Sequence, residues 1–108
     1  MTLQEVALVI KQIGVPCAYH HFKSDPKPPY LVYYYPGEND FMADDGNYVN
    51  IRSLTIDLFT RDKDFALEGT VEAALRDAGL SWYKNTDFLK DDDLFATTYE
   101  MEVLINGE

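Results

Sequence analysis

The sequence predicts an α+β domain of two layers: a mainly antiparallel sheet of four to five strands, with two helices on one face. Three observations carry this. Two segments repeat apolar residues at three- and four-residue spacing, as amphipathic helices do. Several others alternate apolar and polar residues or run β-branched and aromatic, as strands do. The elements follow in the order α-β-β-β-α-β-β, and strands that follow one another directly favour antiparallel pairing. A chain of 108 residues is expected to be a single domain, 1–108, whose core needs no metal or disulfide staple.

The first helix is carried by Leu3, Val6, Ala7, Ile10 and Ile13, which make one apolar stripe. Thr2 and Glu5 have capping-box spacing at its start, and Gly14 and Pro16 stop it. A strand is expected over 17–22. A proline-rich turn over 23–29 leads to the run Tyr30-Leu31-Val32-Tyr33-Tyr34-Tyr35, and the two strands read as a hairpin. Residues 38–48 read as a loop rich in turn formers. Phe41 and Met42 inside it either tuck onto the core or serve a partner.

The third strand, 49–60, sets Leu54, Ile56 and Leu58 on one face and Thr55, Asp57 and Phe59 on the other. Ile51 falls out of phase with Leu54, which predicts a bulge near Arg52-Ser53. A second helix follows with an aspartate cap. Its stripe is Leu67, Val71, Ala74, Leu75 and Ala78, its outer face carries a Glu72–Arg76 pair, and Gly79 stops it. A short strand over 80–84 and an acidic loop with Asp91, Asp92 and Asp93 precede the last strand. There Phe95, Thr97, Tyr99, Met101, Val103 and Ile105 share one face, and Thr98, Glu100 and Glu102 the other.

Composition narrows the function. Nineteen acids against nine bases give a formal charge of −10. That argues against nucleic-acid phosphate and against anionic membrane as partners, since both are bound through Lys and Arg. It suits a solvated surface, or a subunit that must stay soluble until a partner arrives. The single cysteine, Cys17, excludes an intramolecular disulfide and a multi-cysteine zinc site, and it reads as buried filler. No basic stretch followed by a long apolar run is present, so neither a signal peptide nor a membrane span is expected.

No constellation announces catalysis. His20 and His21 are adjacent, and in a strand they would point to opposite faces and could not share a metal. The aspartate runs lack the spacing of a calcium loop. No serine sits in a nucleophile elbow, and no glycine loop cradles phosphate. The chain is therefore expected not to be an enzyme and to need no cofactor or metal. Aromatics are abundant at 14%, including eight Tyr. Tyr30, Tyr33, Tyr34 and Tyr35 fall on both faces of one strand, and a face without helices must be covered by something else or stay exposed.

The pattern resembles the small tail-terminator (tail-completion) and neck proteins of long-tailed bacteriophages. Four pieces carry the likeness: the helix Leu3 to Ile13; Pro28-Pro29-Tyr30-Leu31-Val32-Tyr33-Tyr34 with the following loop at Ala43-Asp44-Asp45; Leu54 to Asp64 running into the helix that contains Glu68; and Thr98-Tyr99-Glu100-Met101-Glu102. The resemblance implies a structural virion-assembly protein without catalysis or cofactor. It would form a ring, typically a hexamer, on the end of the tail tube, stop tube growth and meet the head-completion protein. Such a subunit can stay monomeric until the tube end templates assembly. It would be made in host cytoplasm and end in the virion tail or neck, with no sequence-specific nucleic acid and no membrane among its partners. Candidate partner contacts are Tyr33, Tyr35, Phe41, Met42, Asp44, Asp45, Asp91, Asp92 and Asp93. Alternatives are another head-tail connector, an acidic inhibitor that mimics DNA, or a small-molecule-binding regulatory domain.

Overall fold

In a computed structural model the chain has the expected element order and layers. The structure describes residues 1–37 and 50–106. Helix α1 (Leu3–Lys11) is opened by the anticipated capping box: Glu5 N donates to Thr2 Oγ1 at 3.1 Å, and Thr2 N donates to Glu5 Oε1 at 2.8 Å. Gly14, at φ 96°, turns the chain away from it. Strand β1 (Cys17–Tyr19) is short. It is followed by β2 (Tyr30–Tyr34), β3 (Asn50–Thr60), helix α2 (Phe65–Asp77), β4 (Tyr83–Leu89) and β5 (Leu94–Ile105). Asp64 caps α2 by accepting from Leu67 N at 3.0 Å.

The five strands form one sheet in the order β1-β2-β3-β5-β4. β3 and β5 are its spine. They pair antiparallel without interruption from Asn50↔Ile105 to Thr60↔Phe95. The expected bulge at Arg52-Ser53 is therefore absent: Ile51 lies on the opposite face from Leu54 by simple alternation and stays 63% exposed.

Two further expectations are corrected. β1 and β2 are parallel, not a hairpin, with Cys17 opposite Leu31 and Tyr19 opposite Tyr33. The proline-rich stretch is a crossover rather than a tight turn. It returns the chain along the sheet so that β2 starts beside β1's start. The fourth strand runs over 83–89 rather than 80–84, pairing Tyr83 with Glu100 through Leu89 with Leu94. β1 also stops at Tyr19, short of the expected 22.

Both helices cover the same face. Val6, Ile10 and Ile13 from the α1 segment and Val71 and Leu75 from α2 pack on Leu31, Leu54, Ile56, Leu58, Tyr99, Met101, Val103 and Ile105. These are the positions that alternation assigned to one face. Cys17 is half-buried against this core. On the far face one end is sheltered by the crossover: Phe22 packs edge-on against Tyr30, and Tyr30 stacks on Phe59 at 5.0 Å. That shelter buries Tyr30, Leu94 and Ala96 on a face that carries no helix.

Ile56 is fully buried in the central strand. Ile56→Ala should cost about 3 to 4 kcal/mol of stability, read from the urea midpoint, because the rigid ladders on both sides limit collapse into the gap.

Candidate functional site

The expected contact residues do not form one patch. Tyr33 and Tyr35 lie on the helix-covered face and pack against the core. There they meet Tyr19, whose ring is 5.3 Å from Tyr33 and 5.9 Å from Tyr35, while the Arg52 guanidinium sits over Tyr35. Asp91, Asp92 and Asp93 are exposed in the β4–β5 turn, at the opposite end of the sheet. Asp93 takes a left-handed φ of 55° and lies 3.9 Å from Arg61. Phe41, Met42, Asp44 and Asp45 lie outside the described residues.

Sequence reading missed a charged cluster under α2. Glu68 is 2% exposed. Its carboxylate pairs with Lys63 and with Lys84, the latter at 2.8 Å, and accepts a long bond from Thr97 Oγ1 at 3.5 Å. Glu72 accepts from the same Lys84 at 2.7 Å and from Tyr99 Oη at 2.9 Å. The expected outer-face pairing is thus replaced: Glu72 turns to the sheet, and Arg76 lies over the Trp82 ring. Burial alone would raise both glutamate pKa values, but the lysine and tyrosine hydrogen bonds reverse this and hold both below the usual carboxylate range. Bonds to Glu68 and Glu72 push Lys84 up, and burial with the bond to Glu72 pushes Tyr99 up. Glu68, Glu72, Lys84 and Tyr99 are thus driven away from neutrality, the reverse of what a general acid or base needs. The cluster ties α2 to β4 and β5.

The uncovered sheet face has a different electrostatics. Register and alternation place Asp57, Asp87, Glu100 and Glu102 on it, and among the described residues no strand residue on that face is basic. Asp57 is half-buried and accepts from Thr98 Oγ1 at 2.7 Å. Burial raises its pKa, the Thr98 bond offsets part of that, and the Glu100 charge adds to it. Beside this face, where β4 begins and β5 runs on past it, a groove of about 1130 Å³ opens between Met1, Trp82, Tyr83, Glu102 and Leu104. Leu104 and Tyr83 are 58% and 83% exposed there, an apolar rim to an acidic surface.

Among the described residues no group of three or more His, Cys, Asp or Glu is gathered as for a metal ion, and no helix is long and apolar enough to cross a membrane. No protein-family model matches the chain, and no curated protein does. A solved structure does. The chain is similar to one from the virion of a native gene transfer agent particle, with a TM-score of 0.56 and 16% sequence identity over 97% of this chain and 89% of that one. At that identity the likeness is one of fold.

Glu68→Ala should cost about 2 kcal/mol, less than the 3–5 typical of a sealed pair, because both lysines keep a path to water. The stability that Glu68 and Glu72 contribute is fully present above the ordinary glutamate range and is lost as pH falls through their depressed folded values, so the wild-type advantage over Glu68→Ala should shrink in acid urea titrations. Asp57 has the opposite sign. Its raised pKa makes the carboxylate a burden at neutral pH, so Asp57→Asn should raise the thermal midpoint at pH 7, and the difference should close in acid.

Proposed function

We propose that this chain is a structural protein of a phage-like virion, a tail terminator that forms a ring on the end of the tail tube. The ring stops tube growth and joins the tail to the head; six copies would close it. It performs no catalysis and holds no resident cofactor. The observation that carries this reading is the shared fold with a gene transfer agent virion chain across nearly the whole length.

The surface supports an assembly role. Among the described residues, β1 and β4 each have a strand neighbour on one side only, which leaves two sheet edges for neighbouring subunits. A ring needs such head-to-tail contacts that close on rotation. The tail tube protein and the head-completion protein are the partners this role requires, met in host cytoplasm and retained in the virion. The acidic uncovered face is the surface we assign to the DNA passage, where like charge would keep the genome from sticking. A map of the assembled neck with Asp57, Glu100 and Glu102 on the outside of the ring would overturn that assignment.

The acid-only sheet face also favours a second reading, an inhibitor that mimics DNA, which would compete with DNA for a nuclease or other DNA-binding protein. Electron microscopy of particles made without this gene decides between them. Overlong tails are expected for a terminator. Tails of normal length left apart from filled heads would make it another neck protein, and normal joined particles would remove the morphogenesis reading.

A further inference from the structure

His20 and His21 are consecutive, and in an extended strand their rings would point apart. The structure brings them together. β1 ends at Tyr19, His20 takes a left-handed φ of 72°, and His21 N donates back to Tyr19 O at 2.8 Å. This three-residue closure is a γ-turn, a costly conformation for a residue that carries a side chain. It is pinned by His20 N, which donates to Tyr33 O at 2.8 Å, so the edge of β2 holds the strained residue in place. As a result the two Nδ1 atoms stand 3.1 Å apart, with the rings near perpendicular at 87°. Both side chains are exposed.

That separation, a hydrogen-bond distance between the two rings, also matches the bite of a chelate. Two metal–nitrogen bonds of about 2.0–2.1 Å spanning 3.1 Å subtend roughly 95–100° at the ion, between the square and tetrahedral angles. We propose that His20 and His21 bind one borderline divalent transition ion, of the class of zinc, nickel or copper, through both Nδ1 atoms. Imidazole nitrogen selects these ions over magnesium and calcium, which prefer oxygen. The net charge of −10 raises the local concentration of any cation. Water fills the remaining positions. The tyrosine rings of Tyr19 and Tyr34, with centroids 6.4 and 6.2 Å from that of His20, flank the first histidine.

The test uses an untagged chain, whose histidines are these two alone. Zinc and nickel are titrated separately, followed by calorimetry and by the imidazole signals in NMR. One ion per chain is expected, with both rings shifting together and no competition from excess magnesium. His20→Asn and His21→Asn should each weaken binding roughly tenfold or more. Asparagine tolerates the left-handed backbone at position 20, and amide spectra check that each variant keeps the fold. Position 21 lies past the strained residue and gives an independent reading should the first variant lose structure. The proposal is overturned by the absence of saturable binding, by an ion that perturbs one ring only, or by undiminished binding when both histidines are replaced. Any of these would leave the pair as two rings joined by a hydrogen bond.

Discussion

The uninterrupted ladder between β3 and β5 is the constraint on which the rest depends. β3 is eleven residues long, and every one of them is paired. Side chains in a strand alternate with period two, so an unbroken register commits each residue to a face. A slip of one position would exchange Leu54, Ile56 and Leu58 for Thr55, Asp57 and Phe59 and leave both helices without an apolar surface to cover. With the register held, Tyr99, Met101, Val103 and Ile105 of β5 complete the same face. The acids of both strands are then forced together on the other.

That consequence divides the carboxylates into two groups. Glu68 and Glu72 reach the sheet from α2, where lysines neutralise them and the Tyr99 hydroxyl donates to Glu72. Asp57, Glu100 and Glu102 face away from the helices with hydroxyls for neighbours and, among the described residues, no base on the same face of their strands. The first group anchors a helix and contributes stability. In the second, Asp57 costs stability at neutral pH, because burial and a neighbouring like charge both oppose its ionisation. Natural proteins keep such locally unfavourable arrangements chiefly where a surface serves something other than folding.

Legibility in the sequence followed the strength of alternation. β5 and the middle of β3 are readable because Tyr99, Met101, Val103 and Ile105, and Leu54, Ile56 and Leu58, recur at every second position, with Glu100 and Glu102, and Thr55 and Asp57, between them. α1 was readable from its cap and its stripe. Misreadings fell where a distant partner decides. The run Tyr30 to Tyr35 says strand, but nothing local says that β2 runs parallel to β1, because direction is set by where the crossover over 20–29 travels. Ile51 looked out of phase only because both faces of β3 carry apolar residues near that end. β4 runs later than local composition suggests: Asn85, Thr86 and Asp87 are turn-like, and pairing with β5 overrides that. Glu68 had one available signal: it stands three residues before Val71 and seven before Leu75, on the buried stripe itself. The histidine pair was hidden because alternation assumes an extended backbone, and His20 is where extension ends.

The strained turn at His20 and the acidic sheet face share a logic. Neither is required by the core, which is complete without them. The core ends at Tyr33 and Tyr35 on one flank and at Trp82 on the other. A left-handed histidine could be replaced by glycine or asparagine at lower backbone cost, and Asp57 by a neutral residue. By contrast, a cluster with the residue types of an active site, Glu68, Glu72, Lys84 and Tyr99, has all four members shifted away from neutral pH and bonded to one another. The interior polar groups thus hold the fold, and the unpaired charge and conformational strain lie at the surface. The proposed assembly role would place its contacts on that surface.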